Sequence, residues 1–329
     1  MGVTSLFRRK SRDDRAMPSN RTAANFGSAE NGPLIDSLLK NRRHCTILTA
    51  TEEGVFIDQA LALSWLALED EMSLVPGCEL SATDEAAAAT ESSREITAYY
   101  LDRFAVSNAD YARFVNDGGY GQVELWPQEI WPNVLQFVDS TGHTGPRFWV
   151  DGKPVKHQDD HPVVGISWYE ANAYARWAGK RLPVAAEWQH ASSWCTAKDG
   201  RAGNGRYPWG DSFDPSRCNT WFRGPGETVP VDSHYEGCTP NGVYQLVGNV
   251  WEWVATQYSC GTAQEDVQIH FEQPMAEIRG GAFDTYFERQ ATCQFRTGQP
   301  FLYRGLNVGF RCCVSVSALA PPPDPSAFL

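Results

Sequence analysis

Gly242-Val243-Tyr244-Gln245-Leu246-Val247-Gly248-Asn249-Val250-Trp251-Glu252-Trp253 is the stretch from which the fold is read. It is apolar enough to be buried, yet it carries two glycines, Asn249 and Glu252. Two tryptophans flank the carboxylate. An unpaired buried carboxylate costs several kcal/mol, roughly, so Glu252 needs a hydrogen-bond donor, a cation or a metal. The stretch therefore reads as core with a polar task inside it.

Other pieces follow a fixed order around it. They are Met72–Gly77, Phe104–Tyr111, His161–Trp168, Ala178–Pro183, Glu187-Trp188, Tyr207–Asp211, Arg279–Gly281 and Gly309–Cys312. Together with Gly-Asn-Val-Trp-Glu-Trp this series resembles the formylglycine-generating enzyme, or sulfatase-modifying factor, family, over about Met72 to Cys313. The resemblance implies an α+β, formylglycine-generating-enzyme-like fold related to C-type lectins, with much irregular backbone. Function does not follow from fold alone.

The resemblance also directs attention to metals. In the family a cysteine pair between the Arg-Gly-Gly and the final Gly-Phe-Arg-Cys binds copper(I), which soft thiolates suit. Here no cysteine stands between Gly281 and Thr292, so copper is not expected, and Cys293 and Cys312 match structural cysteines. A sister branch, the sulfoxide synthases, binds iron through His-x-x-x-His-x-Glu. His157 and His161 have the first spacing, but residue 163 is Val163, and Pro162 opposes a helix there. A facial triad of His143 and His161 with Asp159 or Asp160 stays open as an iron site. For calcium, the motif match points to Gln245 and Glu252. Gln245 replaces the usual Asn or Asp and brings no charge, which weakens such a site. A second calcium loop would begin at Asn219-Thr220, although the segment to Asp232 is short.

Composition bounds the rest. The chain has 329 residues, 12 tryptophans, a net charge of −12 and a pI of about 5.1. That balance argues against nucleic acid and anionic membranes, which need a basic face. No apolar run reaches the ~20 residues that span a bilayer. The basic start (Arg8, Arg9, Lys10) has no apolar stretch behind it, and a cytoplasmic protein is expected. The nine cysteines are scattered without a Cys-x-x-Cys, as in a reducing compartment.

Along the chain, residues 1–30 read as a disordered tail and 31–71 as a short helical N-terminal extension, with helices over Pro33–Arg43 and Glu52–Glu71. The family-like domain spans 72–316, and 317–329, with Pro321-Pro322-Pro323, is a flexible tail. Inside the domain Ser81–Ser93 reads as a loop or weak helix and Ile96–Val106 as a strand region. Ser107-x-x-Asp110 starts a helix that Gly118-Gly119 ends. Ser167-Trp168-Tyr169-Glu170 is a capping box for a helix to about Ala178, and Pro183 opens another to about Ser192. Tyr120–Phe148 reads as a packed surface loop.

Two functions compete. The first is a module that binds a protein, peptide or small ligand through the irregular face from Phe283 to Asn307. Tyr286, Phe287, Phe301, Tyr303 and Arg304 are its contact residues, aromatics for apolar area and a solvent-facing Arg304 for an anion. The alternative is an oxygen-dependent oxidoreductase with non-heme iron or another metal.

Overall fold

The computed structural model describes residues 71–79, 95–193, 205–259 and 273–318. The helical extension, but for Glu71, lies outside them, as do the tail over 1–30, the 81–93 loop and 319–329.

In chain order the strands and helices are β1 (Met72–Val75), β2 (Cys78–Glu79), β3 (Glu95–Ile96), β4 (Tyr99–Asp102), α1 (Asn108–Asn116), α2 (Trp131–Val134), α3 (Trp168–Trp177) and α4 (Ala185–Ser193). There follow β5 (Trp251–Gln257), β6 (Met275–Arg279), β7 (Arg296–Pro300), β8 (Val308–Phe310) and β9 (Cys313–Ser315). One sheet has the order β1-β4-β9, a second pairs β2 with β3, and the third runs β7-β6-β5-β8. The expected strand over Ile96–Val106 is broken: β3 and β4 flank Thr97-Ala98, and residues 103–106 leave the sheet.

The Trp-Glu-Trp of the deciding stretch starts β5, an inner strand of the third sheet. Antiparallel β6 lies on one side and parallel β8 on the other, with Trp251 opposite Val308 and Trp253 opposite Phe310. Both faces are covered, so Trp251–Val254 are buried without alternation.

The helices form where caps and periodicity agree. Ser107 accepts the Asp110 N–H at 3.1 Å and starts α1. Ser167 Oγ accepts the Glu170 N–H while Glu170 Oε2 accepts the Ser167 N–H, so the capping box of α3 is complete. The apolar sides of α1 and α3 meet, and Tyr111 stacks on Tyr174 at 5.4 Å. Trp177, Phe114 and Phe310 complete this aromatic core.

Tyr120–Phe148 is more than a surface loop. Short 3₁₀ turns and α2 send Tyr120, Trp126, Ile130, Val134 and Phe137 into the main core. Arg304 fastens it from the far side, donating to the carbonyls of Val138 at 3.0 Å and Gly145 at 2.6 Å. The same guanidinium pairs with buried Glu170 at 3.0 Å. Burial pushes the Glu170 carboxyl up, and Arg304 and the Ser167 amide oppose that.

Candidate functional site: an exposed aromatic face

The centre of the deciding stretch is occupied by structure rather than by an open site. Arg311 grips Glu252 with two donors, Nη2 to Oε1 at 2.7 Å and Nε to Oε2 at 2.8 Å. The Trp188 indole donates to Oε2 at 2.8 Å. The remaining Arg311 hydrogens go to the carbonyls of Asp102, Arg103 and Tyr244. Seven residues earlier, Gln245 is in the left-handed region with φ 51°, and so is Asn249 with φ 68°. Asn249 Nδ2 donates to Gln245 Oε1 at 2.7 Å and to the Val229 carbonyl, while its Oδ1 accepts from Asn219 Nδ2 and the Val229 N–H. Asn249 thus ties three segments with a saturated side chain.

This arrangement bears on the metals named above. The Gln245 carbonyl oxygen is taken by an amide, and Arg311 already balances the Glu252 charge, so the pair does not fit a resident calcium. Asn219 Oδ1 and Thr220 Oγ1 are buried oxygens without a hydrogen-bond partner, but both are neutral. His143 is exposed and faces Thr141 Oγ1 at 3.1 Å, in a loop organised by Asp139. Burial raises the Asp139 carboxyl, yet the amides of Gly152, Thr141 and His143 outweigh it and bring it down to about 2. His157 is exposed with φ 67°, and His161 Nδ1 lies 2.9 Å from Thr228 Oγ1. The chain there is pinned as a ribbon along the start of α1, with Asn108 N–H on the His161 carbonyl and Ala109 N–H on the Asp159 carbonyl. The three histidines are not brought together. Among the described residues no group of three or more His, Cys, Asp or Glu could hold a metal ion. The copper thiolates have no counterpart, because Thr285 and Gln290 occupy a segment without cysteine, and Cys293 Sγ instead meets the Ser192 carbonyl at 3.3 Å.

What the fold does present is a row of aromatic rings. The Gly280-Gly281 pair takes φ 96° and 78°, and a Cβ on Gly280 would crowd the Leu246 carbonyl at 2.8 Å. The chain can therefore turn sharply out of β6. Phe283 and Thr285 point inward, the Thr285 hydroxyl accepting the Ala282 N–H at 2.8 Å. That anchors the turn and leaves Tyr286 and Phe287 outward, 60% and 53% exposed. From another loop come Trp221 and Phe222, 59% and 51% exposed. Tyr286 lies 6.4 Å from Phe222 and from Trp221, and 5.3 Å from Phe287. Phe222 continues to Phe213 at 5.3 Å, Phe213 to Tyr207 at 5.7 Å, and Tyr207 stacks on Trp209 at 5.3 Å. Arg289 lies over Phe287 and Arg206 over Tyr207, at 5.8 and 5.7 Å from the ring centres. The row is seated on the small core of Tyr207, Cys218, Val247, Ala291 and Cys293.

Of the five contact residues read from the sequence, the structure puts Tyr286 and Phe287 on this row. Phe301 instead packs edge-on against Trp168 at 5.0 Å and against Tyr169 at 5.7 Å, because β7 ends over the start of α3. Tyr303 is partly exposed and folds back over Gly305. Arg304 does not face solvent; its side chain is 10% exposed and serves Glu170 and two carbonyls. Trp221 and Phe222 were missed. Adjacent aromatics followed by Gly224-Pro225-Gly226 were the available signal.

A family model described as the sulfatase-modifying factor enzyme 1-like domain matches residues 65–316. The chain belongs to this family. Over 249 residues it is 31% identical to the formylglycine-generating enzyme of Streptomyces coelicolor, covering 65% of this chain and 77% of that one. Over 252 residues it is 31% identical to the inactive C-alpha-formylglycine-generating enzyme 2 of Bos taurus, covering 67% and 78%. Over 173 residues it is 34% identical to the hercynine oxygenase of Mycobacterium tuberculosis, covering 49% of this chain and only 38% of that relative. Among solved structures the crystal structure of CarF is similar, with 20% identity, a TM-score of 0.48 and coverage of 75% and 98%. The sulfatase-modifying factor domain is thus a mixed α and β fold whose relatives include oxidoreductase-like enzymes and an inactive form. No helix among its described residues is long and apolar enough to cross a membrane.

Proposed function

We propose that this sulfatase-modifying factor domain is a binding module, and that the aromatic row is its recognition surface for a protein, peptide or small ligand. One observation carries the reading: Trp221, Phe222, Tyr286 and Phe287 are each more than half exposed, and the Tyr286 ring adjoins the other three. Contiguous exposed aromatic area of this kind marks interaction sites, and loops on a rigid scaffold are where such sites lie. Tyr286 and Phe287 stand in the cysteine-free segment to which the family resemblance assigns the copper thiolates, so the domain is not formylglycine-generating in this reading. No disulfide joins the six described cysteines to one another, which supports a cytoplasmic setting. The acidic balance speaks against nucleic acid and anionic membranes as partners.

Panning a random peptide library on the folded full-length chain tests the surface. Selected peptides should lose at least about tenfold in affinity for Trp221→Ala and for Tyr286→Ala, as expected of aromatic anchors. Binders insensitive to both substitutions would place recognition elsewhere.

The likeness to hercynine oxygenases favours a second reading, an oxygen-dependent oxidoreductase with iron or another metal. Metal analysis of the full chain purified aerobically without chelator separates the two. Stoichiometric iron or copper would favour the oxidoreductase.

A further inference from the structure

At the Trp209 end of the aromatic row, facing away from Trp221 and Tyr286 in the chain of ring contacts, opens a cleft of about 460 Å³ lined by Trp209, Arg217, Tyr235, Glu236 and Cys238 among others. That size suits a small ligand. The cleft is built rather than incidental. A Cβ on Gly237 would overlap the Arg217 carbonyl, so the 235–237 turn lies backbone to backbone on the 216–217 segment. Arg217 Nη1 donates to the Glu236 carbonyl at 3.2 Å, and His234 Nδ1 lies 3.1 Å from the Ser216 carbonyl. His234 holds a left-handed φ of 59° to make this turn, a conformation that needs surrounding support.

The walls have a definite chemistry. Trp209 is backed by Tyr207 on one face, and its indole N–H is spent on the Ser212 carbonyl at 3.0 Å, so the other ring face is what it offers. Tyr235 is 60% exposed and leans on Tyr244 at 6.1 Å. The Arg217 guanidinium is held by Asp214 at 3.1 Å, which fixes its fork without using all five of its hydrogens. Glu236 is an exposed acidic residue of the same lining, and its backbone carbonyl already meets Arg217. A cation, a carboxylate and two aromatic faces thus border one small space.

We propose that this cleft binds a zwitterionic aromatic amino acid. Its ring rests on Trp209 and Tyr235, its carboxylate docks on the Arg217 fork, and its ammonium faces Glu236. Arg217 keeps hydrogens beyond those given to Asp214 and the Glu236 carbonyl, and Glu236 brings the opposite charge, so a ligand carrying both charges meets the lining better than one carrying either alone.

Cys238 supplies the readout, because its partly exposed thiol lies in the cleft lining. Burial raises that thiol, so alkylation by N-ethylmaleimide is run on the full-length chain at mildly alkaline pH and followed by peptide mass spectrometry. L-Phenylalanine, L-tyrosine, L-tryptophan and L-histidine are added one at a time. At least one should slow Cys238 labelling by roughly tenfold when added well above its dissociation constant, by mass action. Phenethylamine and 3-phenylpropionate, which each lack one charge, should protect far less. Trp209→Ala and Arg217→Gln should abolish protection while the unliganded labelling rate shows that the wall around Cys238 is intact. If the unliganded rate changes in Arg217→Gln, the two single-charge analogues on the unaltered chain decide. The proposal fails if none of the four amino acids protects, or if an analogue lacking one charge protects equally.

Discussion

Glu252 sits between two tryptophans and is held by Arg311 and the Trp188 indole, with no share left for an ion to balance. Removing its charge strands a guanidinium that is fully buried. Glu252→Gln is therefore expected to cost ~3–5 kcal/mol in a urea melt, as breaking a buried pair does. Chelator is expected to leave the melting temperature of the unaltered chain where it was. A chelator-induced drop that vanishes in the mutant would return calcium to this position. Tyr286 and Phe301 form a second contrast. Tyr286→Ala removes an exposed ring and should change stability by no more than about 0.5 kcal/mol. Phe301→Ala opens the contact with Trp168 and Tyr169 and should cost about 1–2 kcal/mol. Equal losses for the two would mean that the Tyr286 ring is packed and would undo the recognition surface.

At the scale of elements, the loop from Gly281 to Thr292 is where the proposed recognition surface and the proposed loss of formylglycine formation meet. It carries an inward Thr285 and outward Tyr286 and Phe287, and no cysteine. A peptide with the sulfatase Cys-x-Pro-x-Arg motif should not be converted to the aldehyde, with or without added copper. Copper-dependent conversion, followed by mass, would refute this. A second element is the Tyr120–Phe148 segment, clasped by Arg304. Arg304→Met leaves Glu170 buried without its cation, and amide exchange over 120–148 should rise well above that of β5. Some of this was readable beforehand. Ser107 and Ser167 announce α1 and α3 because cap chemistry is local, within three residues. The Trp-Glu-Trp announces a buried polar node for the same kind of reason. Tyr120–Phe148 hid its core role because 3₁₀ turns broken by Pro127 and Pro132 leave no periodicity to read. The aromatic row was only half legible, since Tyr286 meets Phe222 through tertiary contact that no spacing encodes. Arg304 misled because a charged residue in a Gly-containing loop reads as solvent-facing until its two carbonyl partners are seen.

Across the whole molecule, two histidines give the fold an acid limit. Burial holds His190 and His161 below the usual value of 6.5, and it outweighs the partners that act the other way. The unfolded chain then binds more protons than the native one as pH falls through 6.5. Stability should decline from there down to the depressed native values and be regained on the alkaline side. His190→Gln should flatten the fall in melting temperature between about pH 7 and pH 5. An unchanged slope would show that His190 takes up its proton in the native state as readily as in the unfolded one. The pairing of β4 with β9 has a consequence of another kind. Tyr99 aligns with Ser315, and the Asp102 carboxylate receives the Cys312 N–H from 210 positions away. Arg311 reaches back 209 positions to the Asp102 carbonyl and 59 positions to Glu252, closing the node. During synthesis, the first sheet and that node must wait until β9 has left the ribosome, so closure is a late event governed by loop entropy. A nascent chain stopped before Arg311 would hold Glu252 and half a sheet unpaired, and would depend on chaperones for as long as the stop lasts.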